Sequence, residues 1–115
     1  MGMLTDPPDL DLGSGVVAWW TRWAPDRSLN PQWAHLADVD PCGLILEHPD
    51  ARDPTRRCES GLTFDLAGMA EVFPGPRWQV VSLEPLTLSP SILCSPDKGG
   101  CGLHGFIRGG RWESV

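Results

Sequence analysis

The chain has 115 residues and a formal net charge of −6, with nine lysines and arginines against fifteen acids. A chain of this length holds one domain with a small core, which a bound metal or a partner would help to stabilise. The negative charge disfavours nucleic-acid binding, because affinity for a phosphate backbone comes mostly from basic side chains. Twelve prolines and thirteen glycines disfavour long helices, so the composition predicts a mainly β fold of short antiparallel strands, with a small α+β fold as the alternative.

The amino-terminal residues 1–13 are predicted to form a flexible acidic arm, since Pro7-Pro8 blocks a helix and carboxylates are frequent there. Residues 14–115 are predicted to be a single domain. The chain shows neither a basic and apolar leader nor an apolar run of the ~20 residues that a membrane helix needs. We therefore expect a cytoplasmic protein without membrane contact, in which cysteines stay reduced.

Residues 16–23 are dense in apolar side chains and are too short for periodicity to distinguish a helix from a strand. Trp19, Trp20 and Trp23 crowd this segment. Because tryptophan is frequent at interfaces, at least one of them is predicted to contact a protein partner or a second copy of the chain. The alternative is that all three cover the sheet within the chain.

Between residues 24 and 93, proline, glycine and charged residues separate the predicted elements. A helical turn is predicted from Pro31, with Asn30 as its cap. Strands are predicted at residues 43–48, 60–65 and 78–83, an extended run at 86–93, helical turns capped by Asp65 at 66–72, and a charged loop at 49–57.

The carboxy-terminal residues predict a hairpin around Gly109-Gly110, a pair typical of two-residue turns. This turn pairs three residues on each side: Arg108 with Arg111, Ile107 with Trp112, and Phe106 with Glu113. Alternation then places Ile107 and Trp112 on the core face and His104 on the opposite face.

A metal site is predicted directly before this hairpin. Cys94, Cys101 and His104 have the residue types and turn-rich spacing of a zinc-ribbon-like knuckle, and Cys58 is the preferred fourth ligand, with Cys42 and His48 as weaker choices. Three thiolates and one imidazole form a closed set, which predicts a structural Zn²⁺. Arg108 and Arg111 are predicted to lie near it and to offset its negative charge. Free thiols or a Cys94–Cys101 disulfide are the alternatives.

Several segments resemble a family of small proteins encoded by bacteriophages of actinobacteria, related to zinc-binding domains. The resemblance covers roughly residues 23–115. The matching pieces are Asn30-Pro31-Gln32, Cys58-Glu59-Ser60 with Thr63-Phe64-Asp65, the run from Glu84 to Cys94, and the run from Cys101 to Trp112. It implies a metal-binding phage protein and brings no established activity.

The sequence alone thus predicts a protein that is not an enzyme: a phage-encoded, zinc-stabilised accessory protein that binds a protein partner in the host cytoplasm. A virion component and a nucleic-acid-binding zinc module are the alternatives. A metal hydrolase would need an open coordination site beside Glu59 or Asp97. Ser89-Pro-Ser91 lacks the glycines of a nucleophile elbow, so its hydroxyls are assigned to turns.

Overall fold

The computed structural model describes residues 6–115, and within them nine strands, one short α-helix and two 3-10 turns are present. The strands are β1 (Leu10–Asp11), β2 (Val17–Trp23), β3 (Val39–Asp50), β4 (Asp53–Thr63), β5 (Gln79–Leu83), β6 (Leu86–Ser89), β7 (Ile92–Leu93), β8 (His104–Arg108) and β9 (Arg111–Ser114). The helix α1 is Met69–Val72, and the 3-10 turns are Pro31–Trp33 and Pro96–Lys98. The prediction of a mainly β fold of short antiparallel strands is confirmed.

The strands form three antiparallel sheets, with the orders β1-β2-β3-β4, β5-β6 and β7-β8-β9. In the first sheet β4 is an edge strand, and in the third sheet β7 is an edge strand. These two edges lie on either side of the cleft described below, so the sheet order decides which backbone groups face it.

Two sequence predictions about strand extent are corrected by the first sheet. The charged segment 49–57, predicted as a loop, continues the β3–β4 ribbon, with Pro49 opposite Arg57. Its charged side chains do not oppose strand pairing, because those of residues 52, 53, 56 and 57 are exposed and the buried Asp50 forms an ion pair with Arg52. The predicted arm is also shorter than residues 1–13, because Leu10–Asp11 pair with β2 and Leu12 is buried. Residues 1–5 lie outside the described part of the chain.

The predicted carboxy-terminal hairpin is confirmed residue by residue in its pairing. Arg108 lies opposite Arg111, Ile107 opposite Trp112, and Phe106 opposite Glu113. Ile107 and Trp112 are buried. They belong to the single core cluster found in the described residues, whose other members are Leu12, Val16, Ala18, Leu44, Leu46, Leu62, Phe64, Leu86, Leu88 and Ile92.

The helical turns predicted at 66–72 are present only as α1, and Gly68, not Asp65, is its cap. The backbone N–H of Asp65 instead donates a hydrogen bond to the carbonyl of Trp78. None of the helices in residues 6–115 has the length and apolar character needed to cross a bilayer.

Candidate functional site: a metal centre beside a serine–histidine pair

Four side chains with metal-binding donor atoms meet between the first and third sheets. They are His48 of β3, Cys58 of β4, Cys94 after β7 and Cys101 before β8, and their donor atoms all lie within 4.8 Å of one another. His48 and Cys58 are cross-strand partners. The group is a candidate metal site that joins the β3–β4 ribbon to the carboxy-terminal sheet.

The distances within this group fit a tetrahedral ion. The Sγ atoms of Cys58 and Cys94 are 3.6 Å apart, and Cys101 Sγ lies 4.0 Å from His48 Nδ1. Ligand bonds of about 2.3 Å to sulfur and 2.0 Å to nitrogen separate the corners of a tetrahedron by about 3.5 to 3.8 Å. These two separations lie close to that range and all four donor atoms are within 4.8 Å of one another, so small movements would close the group around one ion.

The loop between Cys94 and Cys101 folds tightly around the Cys94 sulfur. The backbone N–H of Cys101 points at Cys94 Sγ at 3.3 Å, and the N–H of Gly102 donates to the Cys94 carbonyl at 2.8 Å. A side chain at Gly100 would bring its Cβ within 2.6 Å of the Cys94 carbonyl carbon. Glycine is therefore required here, because the chain passes directly over its own backbone.

Ser60 contacts the ligand His48 from outside the coordination shell. Its Oγ lies 3.0 Å from His48 Nε2. The carbonyl of Pro49 lies 3.0 Å from His48 Nδ1 and can only accept, so here the ring carries its proton on Nδ1 and Nε2 accepts from the Ser60 hydroxyl. Binding of a metal at Nδ1 would move that proton to Nε2, from which it would be donated to the Ser60 oxygen. Such an outer hydrogen bond fixes the tautomer of a metal-binding histidine.

The thiols of the group have pKa values shifted in opposite directions. Burial, together with hydrogen bonds to the Cys94 and Cys101 thiols, raises the pKa of Cys58 to about 11. Burial also acts to raise the pKa of Cys94, but the hydrogen bonds from Ser60 and from the Cys101 N–H outweigh it and lower that pKa. A cation at the centre would favour the thiolate form of all three cysteines.

The predicted ligand set changes in one member. The structure brings Cys58, Cys94 and Cys101 together, but His48 completes the group and His104 lies outside it. Pairing with β7 begins at Leu103, whose carbonyl accepts the N–H of Cys94. His104 is therefore held in the strand that follows the loop, and its ring hydrogen-bonds to Ser91 instead.

Other residues considered from the sequence have contacts elsewhere. Cys42 is buried with its Sγ 3.4 Å from Thr21 Oγ1, and it is not part of the donor group. Arg108 pairs with Glu113 and stacks on Phe106 at 3.9 Å from the ring centroid. The side chain of Arg111 lies close to Gly13. Neither arginine shows the predicted contact with the donor group.

The three clustered tryptophans make contacts within the fold. Trp19 is buried and its indole N–H donates to the carbonyl of Asp6, Trp20 packs edge-on against Phe64, and Trp23 packs against Trp33. Trp20 and Trp23 remain half-buried. Their contact with a partner stays a prediction.

A serine–histidine pair lies beside the metal ligands. Leu93 of β7 is opposite His104 of β8, so Ser91, two residues before Leu93, is the diagonal neighbour of His104 on the same face. Ser91 Oγ and His104 Nε2 are 3.0 Å apart, and the imidazole is exposed. A hydroxyl within hydrogen-bond reach of an accessible imidazole is the arrangement of an activated nucleophile.

Ser91 borders a cleft of about 500 Å³ between β4 and β7. The indole N–H of Trp78 donates to the Ser91 carbonyl at 3.1 Å, while the backbone N–H of Trp78 donates to the Thr63 carbonyl of β4 at 2.9 Å. Trp78 thus links β4 to the Ser91 segment. Elsewhere along the cleft, Cys58 of β4 and Cys94 after β7 approach each other in the donor group. The lining residues are Glu59, Ser60, Gly61, Thr63, Pro76, Trp78, Ser91, Leu93, Cys94, Ser95, Lys98, Gly99 and Gly100.

Comparison with known proteins gives one family match. No curated protein and no solved structure matches the chain. Residues 56–115, just over half of the chain, match the family described as bacterial ubiquitination-like system serine protease (BubE). This match overturns the prediction that the protein is not an enzyme, and its bacterial description leaves the predicted phage family unconfirmed. The chain belongs to the BubE family of bacterial ubiquitination-like system serine proteases.

Proposed function

We propose that this chain is a serine protease in which Ser91 is the nucleophile and His104 is the general base. The observation that carries the proposal is the 3.0 Å contact between Ser91 Oγ and His104 Nε2 at the border of the cleft. Both residues lie inside the segment that matches the serine protease family. A neutral serine hydroxyl is a weak nucleophile, and an adjacent imidazole that takes its proton makes attack feasible.

The chemistry divides into two steps. Ser91 Oγ forms a bond to the substrate carbonyl carbon while its proton moves to His104 Nε2, and this proton is then given to the leaving amine as the peptide bond breaks. Water next attacks the acyl group on Ser91 with His104 again taking the proton, which releases the acid and restores the hydroxyl. The Trp78 indole holds the Ser91 backbone in position throughout, since it donates to the Ser91 carbonyl.

The second serine–histidine pair of the structure supports a different role. Ser60 Oγ and His48 Nε2 are also 3.0 Å apart and Ser60 also borders the cleft. However, His48 is buried and its Nδ1 lies 4.0 Å from Cys101 Sγ, so a metal bound at Nδ1 would move the ring proton to Nε2 and leave the ring unable to accept a proton from Ser60. Ser60 is therefore an outer contact of the metal site in our proposal.

The ion we propose for His48, Cys58, Cys94 and Cys101 is Zn²⁺ in a structural role. A set of three thiolates and one imidazole suits zinc and fills all four tetrahedral positions. When bound, zinc would supply cross-linking energy to a small domain. Through Cys94 it would hold the segment that carries Ser91 against β4.

The substrate class follows from the family description alone. A serine protease of a ubiquitination-like system acts on polypeptide bonds, and we propose that this chain cleaves peptide or isopeptide bonds at the carboxy terminus of a ubiquitin-like protein. The formal charge of −6 fits a protein substrate better than nucleic acid. A phage origin, host-cytoplasmic location and accessory partner remain predictions.

A fluorophosphonate probe tests the nucleophile without a known substrate, because it reacts with activated serines. Intact-mass spectrometry should show one phosphonate per chain on the native protein and on Ser60→Ala. Labelling of Ser91→Ala and His104→Ala should fall at least about 100-fold. Labelling that survives Ser91→Ala but disappears in Ser60→Ala would overturn the assignment.

A further inference from the structure

The cleft beside Ser91 is bordered by two open strand edges. In the β3–β4 ladder, the N–H of Phe64 donates to the carbonyl of Cys42, so residues 64 and 42 form a hydrogen-bonded pair. Pairs of this kind alternate along an antiparallel ladder. Gly61, opposite Ile45 in a regular stretch of the register, therefore belongs to a non-hydrogen-bonded pair and turns its N–H and C=O away from β3.

The same reasoning orients Leu93 on the other wall. The N–H of Cys94 donates to the carbonyl of Leu103, so Leu93 and His104 form a non-hydrogen-bonded pair and the Leu93 backbone groups face away from β8. Ser91 lies two residues before Leu93, so its carbonyl also faces away from β8. It accepts the Trp78 indole N–H from that side. Gly61 and Leu93 both line the cleft.

The outward groups of these two residues have no partner within residues 6–115. No hydrogen bond of the described chain involves the outward N–H or C=O of Gly61 or Leu93. A Cβ at Gly61 would meet no atom within 4 Å, so the face of the sheet beside this edge is open. Glycine in a strand is typical of places where another backbone approaches closely.

We propose that the polypeptide substrate binds as an added β-strand, with its backbone hydrogen-bonded to the Gly61 edge of β4 on the way to Ser91. This inference rests on the proposed function, because it takes Ser91 as the nucleophile. Strand addition uses main-chain hydrogen bonds from the enzyme and accepts many side chains, since the contacts are to the substrate backbone. An extended peptide is the occupant because the family acts on polypeptides and the outward N–H and C=O of Gly61 match the paired acceptor and donor of a strand backbone.

The test compares two kinds of phosphonate on the same protein. One is a small fluorophosphonate without a peptide, and the other is acetyl-tetraalanine diphenyl phosphonate, whose methyl side chains leave binding to the backbone. We expect the peptide probe to label Ser91 at least about tenfold more efficiently than the diphenyl phosphonate of a single acetylated alanine. N-methylation of successive amides should reduce this efficiency about tenfold at the amide that donates to the Gly61 carbonyl and less at the other amides.

Gly61→Pro removes the outward N–H without removing a ladder hydrogen bond, so labelling by the peptide probe should fall about tenfold more than labelling by the small probe. Gly75→Ala is the control, because a Cβ there also meets no atom within 4 Å and Gly75 lies outside the cleft lining, so both probes should label as on the native protein. If Gly61→Pro fails to fold, the N-methyl series on the native protein decides.

The possible failures are distinguishable. If the small probe labels Ser91 but chain length and N-methylation have no effect, strand addition is wrong and the proposed function stands. If neither probe labels Ser91, the proposed function itself fails.

Discussion

Ser91 and Cys94 lie three residues apart on one short segment, so the proposed nucleophile and a metal ligand are carried by the same piece of chain. Cys101 and His104 repeat this spacing on the partner segment. Pairing of Leu93 with His104 brings the two segments side by side. The metal centre and the serine–histidine pair are thus adjacent parts of one structure, and disturbing the first should displace the second.

The two histidines have separate roles in this account, and single substitutions should separate them. His104→Ala removes the proposed base, so we expect phosphonate labelling to fall at least about 100-fold with the bound zinc and the melting temperature unchanged. His48→Ala removes a ligand, so bound zinc and melting temperature should both fall. Elemental analysis and thermal denaturation of the two proteins measure this. Loss of zinc from His104→Ala would restore His104 as a ligand.

Single substitutions should also separate the cysteine ligands from Cys42. Cys101→Ser removes a metal ligand and should cost about 3 kcal/mol or more of unfolding free energy, because zinc binding is largely folding energy in a small domain. Cys42→Ser should cost no more than about 1.5 kcal/mol, since Cys42 lies outside the donor group and Thr21 Oγ1 is within reach. Denaturant titration with zinc quantification checks both values. Equal loss of zinc from the two variants would place Cys42 in the site.

Metal removal should inactivate the protein by loosening its structure. Native protein should contain about one zinc per chain, and a strong chelator should remove it slowly, because the ligands are largely buried. Phosphonate labelling should fall in step with the loss of near-ultraviolet circular dichroism. A metal-free protein that keeps its dichroism but loses labelling would indicate that the metal takes part in the chemistry.

Trp78 should act as a positioning residue. Trp78→Phe keeps an aromatic ring but removes the indole N–H that donates to the Ser91 carbonyl, so labelling should slow about three- to tenfold with a small change in stability. Trp20→Phe is the control, since the Trp20 ring packs on Phe64 and has no contact with Ser91. Equal slowing in both variants would show that the effect is general destabilisation.

The parts of the fold set by local chemistry could be predicted from the sequence. Gly109-Gly110 determines its turn and therefore the register of Ile107 with Trp112, because a two-residue turn leaves one pairing. The three cysteines of the metal centre were also recognisable from residue type and spacing.

The parts that depend on long-range register could not be predicted in the same way. Choosing His48 over His104 requires the β3–β4 ribbon to continue through the charged segment 49–57, which composition assigns to a loop. Only that ribbon places His48 opposite Cys58. The sequence assigns Ser91 to a turn because no nucleophile elbow surrounds it, whereas its proposed role depends on cross-strand pairing with the His104 strand. The matched spacing of Ser91 to Cys94 and Cys101 to His104 was the available signal.

The most direct test of the central claim is the position of the phosphonate after labelling of the native protein. Trypsin cleaves after Arg57, Arg77 and Lys98, so Ser60 and Ser91 fall in different peptides, 58–77 and 78–98. Tandem mass spectrometry should place the modification on Ser91 in peptide 78–98. Modification of Ser60 in peptide 58–77, with Ser91 unmodified, would contradict the account.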